Sequence, residues 1–141
     1  MAVDQLAIRG VTVAPPSAAT LGRLAAAGIE VVPGRIVDLT LAGTRYPVMK
    51  ATLDVLLAAP EFDLVLATIG SSARFQPELA VRAVIDSAGS EKPLAAFILP
   101  EAPEALRRFG EVGVPSFRTP ESCAEAIAAA FSRREPRARA P

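Results

Sequence analysis

Residues 62–90 read FDLVLATIGSSARFQPELAVRAVIDSAGS, and the unit from Asp63 to Ala88 within them decides the fold. Leu64 to Ile69 is a short apolar run, partly β-branched, which predicts a strand covered on both faces as in a parallel sheet. Four small residues follow: Gly70, Ser71, Ser72 and Ala73. Pro77 stands where a first-turn proline belongs, and Glu78 sets negative charge against the positive end of a helix. Leu79, Ala80, Val81, Val84 and Ile85 recur at helical spacing and predict one face packed on the sheet. A small-residue loop between a strand's carboxyl end and a helix's amino end is a natural anion site. Backbone N–H groups point outward there, and the helix dipole favours negative charge. The same composition suits an ordinary strand-to-helix turn, and the local pattern admits both readings.

Outward from this unit, the same signals repeat. Leu94 to Leu99 predicts a second buried strand after Lys92-Pro93, stopped by Pro100. Ala102 to Val112 predicts a helix with Pro103 and Glu104 in its first turn and Gly113 beyond its end. Val114 to Phe117 reads as a third short strand. Thr119, Pro120 and Glu121 then form a strong helix start, for a helix to about Arg134 with Cys123, Ile127 and Phe131 on one face. Spacing makes Cys123 a buried small apolar residue rather than a nucleophile. Strand, helix, strand, helix, strand, helix predicts parallel strands joined by right-handed crossovers. The fold class is therefore α/β, a flavodoxin-like open parallel sheet with helices on both faces.

The first third is less regular. Ala2 to Arg9 predicts a helix closed by Gly10. Val11 to Val13 predicts a short strand, stopped by Ala14-Pro15-Pro16. Ser17 suits the N-cap of a helix through Ala27, with Leu21, Leu24 and Ala25 inward and Gly28 as terminator. Ile29 to Val32 and Ile36 to Leu39 each suit a short strand around Pro33-Gly34. Arg45 to Ala59 predicts a helix with Pro47 in its first turn and Met49 in the core. The Pro15-Pro16 step reads as a stiff turn or a hinge, and a domain boundary is expected near it. The expected organisation is a first unit at 1–28, a flavodoxin-like domain at 29–134 and a disordered tail at 135–141.

The chain has 141 residues, 51% of them hydrophobic but only 5% aromatic, enough for one domain with a real core of Ala, Val, Leu and Ile. Fifteen basic and fifteen acidic residues cancel, and the tail from Arg133 carries most of the basic bias, so the body has no electrostatic footprint for nucleic acid. No apolar run approaches the ~20 residues that span a membrane. The opening MAVDQLAIRG lacks the basic start of a secretory signal, and a lone cysteine fits a reducing compartment, so a cytoplasmic location is expected. Zero histidines exclude a histidine-ligated zinc site, a Ser-His-Asp triad and a histidine base supplied by this chain. With no Trp and one Tyr, stacking platforms for bases are not expected either.

Within the loop Gly70 to Gln76, Arg74 can close on a phosphate held by the backbone, or be a solvated surface arginine. The loop matches neither GxxxxGK[ST] nor GxGxxG. Asp38 in GRIVDLT binds a partner group or, more commonly, caps a turn. Lys92 reads as a loop lysine or an anion contact, and Asp4 as a surface acid. Glu101 and Glu104 read as dipole complements. No general acid/base set emerges.

From about Gly34 to Arg134 the chain resembles the flavodoxin-like domain that follows the phosphohistidine domain in NDP-forming acyl-CoA synthetases. That family includes ADP-forming acetyl-CoA synthetase and is related to succinyl-CoA synthetase. The carrying stretches are GRIVDLT, FDLVLATIGSSARFQPELA and KPLAAFILPEAPEALRRFGEVGVPSFRTPESCAEAIAAA. Within the last, GVPSFRTPE and KPLAAF are similar to a family segment and a family strand. The opening MAVDQLAIRGVTVAPPSAATLGRL resembles the end of the preceding phosphohistidine-type domain. The resemblance implies part of an acid–thiol ligase, not active alone. Its partners would be the CoA-binding/phosphohistidine and ATP-grasp domains of the same enzyme, with neither nucleic acid nor membrane. No cofactor would bind this chain; the parent enzyme would use ATP/ADP, Mg and CoA. It also implies that Gly70, Ser71, Ser72, Ala73 and Arg74 dock a phosphohistidine loop at a helix N-terminus, where about −2 of phosphoryl charge is favoured. The chain departs from the family in having Arg35-Ile36 before Val37-Asp38, and in having Gly70 as the loop's one glycine. The alternative readings are a stand-alone binding or scaffold domain, and a flavodoxin-type binder of a small ligand.

Overall fold

The computed structural model describes residues 2–133. Its centre is a three-stranded parallel sheet, β1 (Val65–Ile69), β2 (Leu94–Ile98) and β3 (Ser116–Phe117), laid side by side in chain order. Val65 pairs with Leu94 and Ile69 with Ile98, and Phe97 pairs with Phe117. The first crossover runs through a single helical turn, α4 (Ser72–Phe75), and α5 (Pro77–Ile85); the second runs through α6 (Pro103–Glu111). Two crossovers of the same hand between strands laid out in one direction put their helices on one face. There α5 and α6 join α3 (Tyr46–Leu57) over Val65, Ala67, Ile69, Leu94, Ala96 and Ile98. The other face carries α1 (Ala2–Ile8) and α7 (Pro120–Ser132), whose Leu6, Cys123, Ala124 and Ile127 pack on Phe97. This is a flavodoxin-like open parallel sheet with helices on both faces.

Local signals set most of the boundaries. Ser17 and Thr119 accept hydrogen bonds from the amides of Thr20 and Ser122, capping α2 (Ala18–Ala26) and α7. α3, α5, α6 and α7 each carry a proline in the first turn. Gly28 and Gly113 have φ of +75° and +73°. That turn lets Ile29 and Val114 donate to the carbonyls of Leu24 and Phe109 and close α2 and α6, the usual glycine-terminated helix end.

Several expectations are corrected. Every residue of β2 is buried, but in β1 Leu66 is half-buried and Thr68 exposed. β2 is central and covered on both faces, whereas β1 is the edge strand and is covered fully on one. Val11 to Val13 forms no strand: the Val11 amide is used in closing α1 on the Leu6 carbonyl, while Val11 and Val13 pack beside α7's cluster. Neither Ile29 to Val32 nor Ile36 to Leu39 is a strand. Pro33-Gly34 bends the first, and the Asp38 carboxylate takes the Thr40 amide at 2.8 Å, turning the second into a 3-10 turn at Thr40–Thr44. Leu79 and Phe131 are 56% and 53% exposed, because α5 buries Val81, Ala83 and Val84, and α7 buries Cys123, Ala124 and Ile127. Ala25 is likewise exposed and Leu21 half-buried; α2 is anchored by Leu24 and Thr20. The expected disordered tail at 135–141 lies outside the described residues.

Two long-range polar contacts tie the loops down. The Lys92 ammonium donates to the Ala59 carbonyl just past α3, placing a cation at a helix carboxyl end where the dipole favours it. Glu61, on the turn between α3 and β1, accepts from the Thr20 hydroxyl at 2.6 Å and the Ser17 amide at 2.9 Å. These bonds, Thr20's first, hold the Glu61 carboxyl down to about 2 from an ordinary 4.5. A carboxyl with a depressed folded-state pKa contributes stability above its unfolded pKa and loses it as pH falls through the folded one. An acid titration of stability should therefore show a loss between about 4.5 and 2, and Glu61→Gln should flatten that segment while matching wild type poorly at neutral pH.

Candidate functional site

β1 and β2 end side by side, and the chain leaves each into a helix start. After Ile69, Gly70 and Ser71 lead into α4; after Ile98, Leu99 to Ala102 lead into α6. Between them lies an open cleft of about 580 Å³, walled by Ala73, Arg74 and Pro77 on one side and by Pro100 to Glu104 on the other. It sits outside the carboxyl ends of parallel strands, where open α/β sheets place ligands.

The loop is tighter than the sequence suggests. Ser72 to Phe75 forms one helical turn before Gln76 breaks it and α5 begins. The amides of Ala73, Arg74 and Gln76 are used on the carbonyls of Gly70, Ser71 and Ser72. Ala73 is 1% exposed and anchors the turn; its amide is not offered outward. The amides of Gly70, Ser71 and Ser72 and the hydroxyls of Ser71 and Ser72 make no hydrogen bond among the described residues. The Arg74 guanidinium is exposed and has no partner among them either. A Cβ built on Gly70 meets nothing within 4 Å, so the backbone at the exit of β1 is open to approach.

The acids on the other wall are neutralised. Glu101 pairs with Arg118 at 2.8 Å. Glu104 is held below the ordinary carboxyl range by Arg107 first, then by Arg108, at 2.7 and 3.0 Å. Arg74 is thus the cleft's surplus charge. The first turns of α5 and α6 border it through Pro77 and Pro103, and neither has a side-chain cap. The arrangement can hold an anion by unspent amides, two hydroxyls and one guanidinium.

Glu101 and Glu104 are ion-paired, Asp38 caps its own turn and Lys92 is fixed to Ala59. Asp4 is exposed on α1. Among the described residues no cluster of metal-ligating side chains forms, and no helix is long and apolar enough to cross a membrane. Cys123 is buried, and burial pushes its thiol up to about 11. A thiol reagent at neutral pH should react with it only as the chain unfolds, so labelling should rise across the urea transition and not before.

Sequence reasoning missed the Pro100–Glu104 wall. A signal was available: α5 and α6 both open with Pro-Glu, at Pro77-Glu78 and Pro103-Glu104, each following a predicted buried strand.

The fold and cleft define an α/β module of the open parallel-sheet class. No protein-family model matches the chain, and no curated protein does. Among solved structures, it is similar to PH0766 from Pyrococcus horikoshii OT3, at TM-score 0.69 and 24% identity over 91% of this chain. The chain spans 31% of that protein's length, and the likeness is one of fold.

Proposed function

We propose that this chain is the flavodoxin-like domain of an NDP-forming acyl-CoA synthetase, docking the phosphohistidine loop of a partner domain. The single observation that carries the reading is the unspent donor set at the exit of β1: the Gly70, Ser71 and Ser72 amides, just ahead in the chain of the cleft-wall residue Arg74, which has no partner among the described residues. A phosphoryl group of about −2 charge fits such a set. The sequence resemblance points to the same residues, and the fold likeness to PH0766 covers a portion of a longer chain. The catalytic histidine, CoA and nucleotide would come from the CoA-binding/phosphohistidine and ATP-grasp domains, with ATP/ADP and Mg bound there.

In this reading Arg74 supplies a charge-assisted contact to the phosphoryl oxygens, worth about 1.5–3 kcal/mol. The test is reconstitution: this chain is mixed with the histidine-bearing and ATP-grasp domains, and acyl-CoA formation is measured. Omitting the chain should abolish turnover, and Arg74→Ala should slow it by about 10- to 100-fold with the urea midpoint unchanged. Full turnover without the chain would sink the proposal.

A further inference from the structure

Helix α2 is attached to the body differently from its neighbours. Pro15-Pro16 lies before it, and Gly28, at φ +75°, lies after it. The chain is held in place on both sides of it. Upstream, Leu6 is buried against α7's cluster and Arg9 pairs with Glu125 at 2.9 Å. Downstream, Ile29 is buried, and its amide donates to the Leu24 carbonyl of α2 across Gly28. Between these anchors α2 packs on α3 and buries Leu24 and Thr20 completely.

One side chain of the body reaches the start of α2. Glu61 Oε1 accepts from the Ser17 amide and the Thr20 hydroxyl, and Arg23 donates to the same Thr20 oxygen at 3.0 Å. The other carboxylate oxygen, Oε2, is buried and has no partner among the described residues. A buried oxygen without a donor is costly, and water would satisfy it on opening. The contact is thus strong at one oxygen and deficient at the other.

We propose that α2 is a hinged flap that opens as a unit between Pro16 and Gly28 while the sheet stays folded, with Glu61 as its latch. Opening hydrates Glu61 Oε2 and uncovers Leu24 and Thr20; closing restores the two hydrogen bonds to Oε1. The device is independent of what the cleft binds.

Native-state amide exchange on the whole chain tests it. In wild type the Leu21 to Ala27 amides should exchange at least about tenfold faster than those of Ala96 and Ile98, the mark of sub-global opening. Glu61→Ala removes a charged acceptor and should speed the α2 amides by about a further tenfold, leaving Ala96 and Ile98 unchanged. Gly28→Ala strains the other hinge, because φ there is positive, and should act in the same direction by about tenfold. Equal protection of α2 and β2 in wild type overturns the proposal. So does a common factor at both sites in the variants, loss of the whole fold in Glu61→Ala, or no change in α2.

Discussion

Phe109→Ala should cost about 3–5 kcal/mol of folding free energy, a large share of the 5–15 kcal/mol typical of a domain. Phe109 is the largest of the fully buried side chains. Of α6's nine residues only Ala105 and Phe109 are buried, with Leu106 partly buried against the same cluster, so the ring is the largest apolar group holding that helix to the sheet. Its carbonyl also closes the helix on Val114. Truncation leaves a cavity in the core cluster that also holds Ile98, Val84 and Val114, and close-packed neighbours relax into it only in part. Phe75→Ala is the contrast. Phe75 is 82% exposed, and its loss should move stability by less than about 0.5 kcal/mol. Urea unfolding of the two variants checks both values, with the slope unchanged if only native packing is affected. A Phe109→Ala cost under about 1 kcal/mol would mean that α6 does not pack as described.

What the sequence shows depends on how local each cause is. β2 is legible because five consecutive buried residues, Leu94 to Ile98, are all apolar. α7 is legible because Thr119, Pro120 and Glu121 are the cap, first turn and dipole complement in one tripeptide. Leu79 was misplaced because spacing alone cannot tell which edge of a broad apolar face meets a neighbour. That was decided by α5 packing against α3 and α6, which took Val81 and Val84 and left Leu79 out. The segment 29–39 has strand-like residues but no strand partner, and Pro33-Gly34 with the Asp38 turn settled it otherwise. Glu61 carried no signal at all, since its partners Ser17 and Thr20 lie more than forty residues away.

The candidate site divides the same way. Gly70 to Arg74 was readable as a small polar loop with a charge. That Ala73 would turn inward was not, because it follows from the one-turn helix inserted before Pro77. The second wall needed the strand register: Ile69 opposite Ile98 brings the exits of β1 and β2 together. Composition can propose an anion loop, but only the pairing of two strands gives it an opposite wall.

Ser71→Glu should lower acyl-CoA formation in the reconstituted system by at least about 100-fold, if the cleft receives a phosphoryl group as proposed. Ser71 is exposed, its amide and hydroxyl are unspent, and it stands at the exit of β1. A carboxylate there would face a group of about −2 charge. At about 5 Å and an effective dielectric of about 20, each unit of like charge costs roughly 3 kcal/mol, so even a partly screened encounter loses two decades. The new carboxylate would also compete for Arg74. Ser71→Ala keeps the amide, removes only the hydroxyl and should cost less than about tenfold. Because position 71 is exposed, both variants should unfold at the wild-type urea midpoint, which separates a docking effect from a folding one. If Ser71→Glu turns over at the wild-type rate, no anion visits this cleft, and the docking role falls while the sheet, the cleft and the α2 latch stand.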